Sequence, residues 1–264
     1  MPELAEVQIL ADQLNRSLQG ADLEGFEVFY PGWVTEGDLC WLAGLQIESI
    51  DRWGKRLRFN FSDQRQLISG LGLAGNWLLQ HPDRHLVAKL STSLGPVYYS
   101  DPRHFGHAQV FQSAQQAQDA LGDRIGLDAA LTITDQQLKA ALRSGKIKLK
   151  AALLDQGRLS GIGNYLADEI CFESALLPVR PLESLTDLEW EHLNLARSKI
   201  ITRALEGEGA SFSDYRHADG SKGEMQQRMA VYGRSGLPCP RCGFKIQKST
   251  VAGRGTHHCP SCQS

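Results

Sequence analysis

Cys239-Pro240-Arg241-Cys242 and Cys259-Pro260-Ser261-Cys262 stand sixteen residues apart near the end of a 264-residue chain. Two Cys-x-x-Cys pairs supply four thiolates, enough to close a tetrahedral site, and zinc favours four sulfurs in that geometry. Such a site has no open position for chemistry, so the spacing predicts one structural Zn2+ held by Cys239, Cys242, Cys259 and Cys262. The residues between the pairs fit a β-hairpin, with Lys245-Ile246-Gln247-Lys248-Ser249-Thr250-Val251 as one arm. Ala252-Gly253-Arg254-Gly255 is the expected turn, with Arg254 at its tip. From 226 to 264 the chain carries Arg228, Arg234, Arg241, Lys245, Lys248 and Arg254 and no carboxylate. Such a hairpin reads either as a staple for a short tail or as a probe for nucleic acid, and its charge favours the probe.

Outward from the cysteines, the composition is that of a soluble globular protein: 42% apolar and 22% charged, long enough for one large or two ordinary domains. The net charge of −2 argues against a nucleic-acid binder only as an average. A second acid-free basic run, Lys139, Arg143, Lys146, Lys148 and Lys150, lies within residues 136–154, and phosphate responds to local charge. The remaining cysteines, Cys40 and Cys171, have apolar neighbours and read as small buried side chains rather than a disulfide. Thiols beside a thiolate metal site fit a reducing, cytoplasmic setting. Glu3, Glu6 and Asp12 exclude a signal peptide, and no apolar run reaches membrane length.

Leu4, Val7, Leu10, Leu14 and Leu18 form a helical stripe that Gly20 ends. Residues 22–112 then run as short strands broken by Gly, Pro and Asp, most clearly Arg56-Leu57-Arg58-Phe59-Asn60-Phe61, which predicts a β-sandwich or barrel. Beyond a mixed stretch at 113–131 the pattern is helical. Thr134-Asp135-Gln136-Gln137 is a capping box, short helices follow at 148–156 and 164–176, and a long one runs from Thr186 to about Gly207. Residues 211–224 read as a flexible loop. The expected organisation is α+β: an N-terminal β-sandwich with a leading helix (1–118), a linker (119–132), a helical domain (133–228) and a zinc hairpin (229–264).

Gly161-Ile162-Gly163-Asn164 opens a helix, where backbone N–H groups can meet phosphate, although a plain helix–turn–helix corner reads the same way. Six motifs in order carry more weight. Met1-Pro2-Glu3-Leu4, Gly54-Lys55, Asp101-Pro102-Arg103-His104-Phe105-Gly106, Gly161-Ile162-Gly163-Asn164 with Ala167-Asp168-Glu169, Val231-Tyr232-Gly233-Arg234 and the cysteine finger with Arg254 resemble the formamidopyrimidine-DNA glycosylase and endonuclease VIII family. The Asp101–Gly106 segment resembles the formamidopyrimidine type more closely.

The resemblance implies a helix–two-turns–helix domain and a monomer that acts on double-stranded DNA containing oxidised bases or abasic sites. It also implies DNA bent in a cleft between the domains, and a bifunctional glycosylase and lyase. With Met1 removed, the Pro2 nitrogen attacks C1′ of the damaged nucleotide. Glu3 handles protons on the sugar, and Glu6 supports it. Lys55 contacts phosphate beside the lesion; Asn164, Arg254 and Lys150 belong to the DNA-gripping set. Leu73, Arg103 and Phe105 fill the void that a flipped nucleotide leaves. Ala5, Leu73, His104 and Trp53 depart from the family's usual residues. The competing readings are a catalytically inactive DNA-binding member, an endonuclease VIII-like preference for oxidised pyrimidines, and a zinc-ribbon RNA-binding or transcription-related protein.

Overall fold

The computed structural model describes residues 2–143, 145–212 and 215–264. Met1, whose removal the resemblance implies, lies outside the described residues, as do Ser144 and, within the expected loop, Ser213 and Asp214. The chain forms two compact units, each described by itself: one runs to Asp123 and adds Gly207–Gln226, the other comprises Arg124–Glu206 and Gln227–Ser264.

The first unit opens with α1 (Leu4–Leu18), whose Leu4, Val7, Leu10, Leu14 and Leu18 are buried as the stripe requires. Its N-terminus is closed by a capping box between Glu3 and Glu6, the Glu3 N–H donating to Glu6 Oε2 at 2.7 Å. Nine strands follow: β1 (Leu23–Val28), β2 (Val34–Glu36), β3 (Ile47–Trp53), β4 (Arg56–Phe61), β5 (Gln66–Gly70), β6 (Asn76–Leu78), β7 (Leu86–Thr92), β8 (Val97–Ser100) and β9 (His107–Phe111). They make two sheets, ordered β1-β7-β8-β6 and β2-β9-β5-β4-β3. The alternation in β4 sends Leu57, Phe59 and Phe61 inward and leaves Arg56, Arg58 and Asn60 on the opposite face. Side chains of both sheets and of α1 share one core around Trp33, Phe59, Trp77 and Tyr99, as in a sandwich. A helix, α2 (Ala114–Leu121), capped by Ser113, extends this unit past residue 118 into the expected linker.

In the second unit β10 (Leu127–Asp128) pairs in parallel with β11 (Leu159–Ser160). Its helices are α3 (Asp135–Leu142), α4 (Leu149–Leu154), α5 (Asn164–Glu173) and α6 (Asp187–Glu206). The capping box at Thr134 forms, whereas α4 and α5 end earlier than their sequence pattern. The hairpin is β12 (Gln247–Val251) against β13 (Arg254–His258).

Residues 207–226 depart from the expectation that they belong with the helical domain. Their partners lie in the first unit. Ala210 N donates to Glu6 Oε1 at 2.6 Å, Ala218 N to Gln13 Oε1 at 2.8 Å, and Leu79 N to the Ala218 carbonyl at 2.8 Å. Tyr215 donates its hydroxyl to the Glu6 carbonyl at 2.7 Å, and burial, then the Glu6 charge, pushes its phenol well above the usual range. His217 is buried between Ser221 Oγ and the Glu208 carbonyl. The described part of this loop is therefore laced to its surroundings.

Candidate functional site

In the first unit Pro2 is buried and immediately precedes Glu3, the N-cap of α1. The carboxylates of Glu3 and Glu6 are both engaged: Glu3 caps the helix, and Glu6 bridges the Glu3 and Ala210 backbone N–H groups. Glu6 is thus a buried latch between the helix start and the returning segment.

Lys55 sits in the two-residue turn between β3 and β4, where Trp53 pairs with Arg56. Gly54 takes φ 63°, the positive value that the first central residue of a tight hairpin turn needs. Trp53 lies under the Arg58 guanidinium, 5.5 Å from it, while Asp51 holds Arg58 at 3.0 Å.

The segment Asp101–Gly106 is a braced loop. Asp101 is buried, and its two carboxylate oxygens accept from Arg103 N at 2.9 Å and Gly106 N at 2.7 Å. With its backbone so fixed, the loop holds Arg103, His104 and Phe105 in the open. Phe105 is 57% exposed and lies 5.1 Å from the Arg103 guanidinium. His104, at φ 52°, rests on the Tyr30 ring at 4.4 Å. Leu73 is half-buried and follows Gly72, where a Cβ would come within 2.6 Å of the Phe105 backbone. The turn that carries Leu73 thus runs against the loop that carries Arg103 and Phe105.

Tyr99 was not legible as part of this arrangement. Its hydroxyl donates to the Gly70 carbonyl at 3.4 Å and fills the space where a Cβ on Gly75 or Gly106 would stand, at 2.0 and 1.7 Å. Burial raises its phenol well above the ordinary range, so it stays a neutral hydrogen-bond donor. No local signal marks it, since its neighbours come from three separate turns and strands.

In the second unit Gln156 braces the Gly161–Asn164 corner: its amide donates to the Ile162 carbonyl at 2.8 Å and its Oε1 accepts Gly161 N at 3.0 Å. Asn164 follows at the start of α5 and donates to the Gly255 carbonyl at 3.1 Å. One residue before that glycine, Arg254 is exposed. The tight turn consists of Ala252 and Gly253, at φ 50° and 70°, and Arg254 pairs with Val251 as the first residue of β13. It flanks the tip instead of occupying it.

Lys150 requires a correction. It was expected among the DNA-gripping residues, yet its side chain is 0% exposed. Its ammonium donates to Asp168 Oδ1 at 2.6 Å, the Gly255 carbonyl at 3.0 Å and Thr256 Oγ1 at 2.9 Å, which accounts for all three protons. Asp168 Oδ2 accepts His257 N at 2.8 Å. Lys150 and Asp168 thus fasten the hairpin beside Arg254 to α4 and α5, and leave no donor for phosphate. The adjacent Glu169 carboxylate accepts from Ala230, Val231 and Tyr232 N at 2.8–2.9 Å. Burial raises its pKa against the pull of those donors.

The four predicted cysteine sulfurs lie within 4.8 Å of one another, Cys239 to Cys262 at 3.9 Å and Cys242 to Cys259 at 3.5 Å. A tetrahedron with Zn–S bonds of about 2.3 Å has edges of about 3.8 Å, so the sulfurs fit one structural zinc ion. The backbone at Phe244 draws the Cys242 thiol down to about 6, while burial pushes Cys262 up to about 12. A divalent cation among them would hold all four as thiolates. Phe172 of α5 packs with Cys239, Ile246 and Cys259, which seats the metal knuckles on the helix.

Comparison with known proteins follows the same order along the chain. Residues 1–108 match the formamidopyrimidine-DNA glycosylase N-terminal domain, 125–215 the formamidopyrimidine-DNA glycosylase H2TH domain, and 236–264 the zinc finger found in FPG and IleRS. The formamidopyrimidine-DNA glycosylase of Thermus thermophilus is 37% identical over 268 residues, covering 100% of this chain and 98% of that protein. That of Desulfitobacterium hafniense is 33% identical, with 100% of both chains covered. Among solved structures, the MutM (Fpg) protein of Thermus thermophilus superimposes with a TM-score of 0.91 at 36% identity, over 99% of this chain and 98% of that one. The Lactococcus lactis Fpg in complex with abasic-site DNA gives 0.90 at 32% identity over 99% of each. The chain belongs to the formamidopyrimidine-DNA glycosylase family.

Proposed function

We propose that this protein is a DNA repair enzyme that releases oxidised bases, purines such as 8-oxoguanine and formamidopyrimidines in particular, and then cuts the strand at the abasic site. The observation that carries this reading is the braced Asp101–Gly106 loop. It presents an exposed aromatic ring with a guanidinium over it, the backbone tied by Asp101 and wedged by Tyr99. An exposed Phe on a rigid support is what a protein needs to enter a base stack, and a base must leave the stack to be excised. Solved relatives bound to abasic-site and Fapy-dG DNA support the same substrate class.

In the proposed mechanism the secondary amine of Pro2, freed once Met1 is removed, attacks C1′ of the extruded nucleotide. The base departs with a proton, the sugar ring opens, and a cationic iminium links Pro2 to the sugar. Glu3 moves protons at the sugar, including the one lost from C2′. The iminium accepts the electrons of that C–H bond as the 3′ phosphate leaves, and a second elimination expels the 5′ phosphate. Lys55, Asn164 and Arg254 hold backbone phosphates, Arg103 faces the orphaned base, and Leu73 and Phe105 occupy the gap. Zinc keeps the hairpin folded and takes no part in bond making. Cys171 is buried as expected whereas Cys40 is exposed, and free thiols of both kinds fit a cytoplasmic enzyme.

Trapping tests the scheme. Borohydride reduction with abasic duplex should leave a stable adduct on a chain that begins at Pro2. One residue added ahead of Pro2 should abolish it, because an amide nitrogen has no available lone pair. Glu3→Gln should bind DNA and lose base release. An adduct mapped to Lys55, or none from a chain verified to start at Pro2, would defeat the mechanism.

A further inference from the structure

Trp53, Arg56, Gly70 and His107 are directly paired across β3, β4, β5 and β9. Directly opposed residues share a face, so Trp53, Arg56 and His107 form one row at the end of the sheet that carries Lys55. His107 also follows the Asp101–Gly106 loop without a gap. Gly70 leaves room in that row, and the His107 ring takes it: a Cβ on Gly70 would fall 2.5 Å from Cε1 and 2.8 Å from Nε2. The Phe105 carbonyl beside the ring favours its protonated form.

We propose that His107 is a further DNA-contacting residue, whose imidazolium binds a phosphodiester beside the one taken by Lys55. The inference rests on the repair reading above. A neutral ring carries one N–H and a charged ring two, so the anionic phosphate is met best by the charged form. DNA binding at this position therefore takes up a proton.

The surroundings set the direction of that coupling. Burial, then the Arg56 charge, lowers the His107 pKa, so the DNA-free ring is neutral near pH 7. The charged groups around the row are Arg56 on β4, Lys55 in the adjoining turn, and Asp101, Arg103 and His104 in the loop. Asp101 is occupied by its two backbone donors. β5 brings no charge, and on β2 Glu36 pairs with Gln109, two residues further along β9. A phosphate placed against Lys55 and Arg56 offsets their repulsion and favours the charged ring. The DNA-bound pKa then exceeds the free one, and affinity rises as pH falls between the two.

The test is binding of a duplex carrying a tetrahydrofuran abasic analogue at several pH values and fixed salt. Wild type should tighten as pH falls from about 8 to about 6, by at most about tenfold per pH unit for one proton. His107→Gln should lose most of that rise while keeping its melting temperature. Gly70→Ser, which displaces the ring and leaves His107 in the chain, should lose it too. A Gln variant with the wild-type pH slope overturns the proposal and leaves the repair reading intact. Wild type that fails to prefer the abasic duplex over undamaged DNA overturns both.

Discussion

The buried Lys150–Asp168 pair gives the sharpest energetic test of how Arg254 is held. Both side chains are 0% exposed and 2.6 Å apart, so neither charge can turn to water when its partner is removed. Lys150→Met leaves the Asp168 carboxylate with His257 donors alone, and Asp168→Asn leaves the ammonium with neutral acceptors only. Breaking a buried pair from one side costs about 3–5 kcal/mol, most of it the uncompensated charge. The double variant Lys150→Met/Asp168→Asn removes both charges and should cost less than the sum of the singles by roughly 2 kcal/mol. Hydrogen exchange on the zinc-loaded protein reads this locally. Amides of β12 and β13 should lose protection in each single variant, while β3–β5 stay protected. Recovery in the double variant should bring back part of the abasic-DNA affinity. Additive losses, or hairpin amides untouched by either single change, would refute the reasoning.

Chelating the metal, or replacing Cys259 with serine, should unfold the hairpin and abolish abasic-DNA binding, since structural zinc contributes on the order of 10 kcal/mol to such units. Circular dichroism should retain the β-sheet signal of the first unit, and full affinity in metal-free protein would reject the assignment. Phe105→Ala should reduce base excision from duplex more than cleavage of a preformed abasic site, because an abasic nucleotide lacks much of the few-kcal/mol unstacking cost. Equal losses in single-turnover rates on both substrates would point to a general defect.

What can be read from the chain follows the range of the forces involved. The α1 stripe, the β4 alternation, the Thr134 capping box and the metal spacing are local patterns, and each has its counterpart in the structure. Lys150 misleads because a lysine within a basic run gives no sign that Asp168, eighteen residues on, will take its charge into the interior. Tyr99 and Gly70 are invisible for a related reason: what matters is the empty volume that glycines leave for side chains on other strands. The placement of 207–226 depends on Glu6, more than two hundred residues earlier, and no window of sequence holds both ends. Arg254 lies one turn position from its expected place, because Ala252 accepts positive φ and the turn closes in two residues.

The long-range latch at Glu6 has a consequence for how the molecule is made. The Glu6 carboxylate meets Ala210 N, and Tyr215 reaches the Glu6 carbonyl, so α1 lacks both contacts until residues 207–226 have been synthesised. On a ribosome adding about 5–20 residues per second, the N-terminal sheets wait on the order of ten seconds for that piece. Throughout that interval the nascent chain has its proposed nucleophile but not the segment that locks the helix behind it. Competence for DNA therefore arrives late in translation, and a chain broken off before Gly207 would carry Pro2 and Glu3 without ever completing their support.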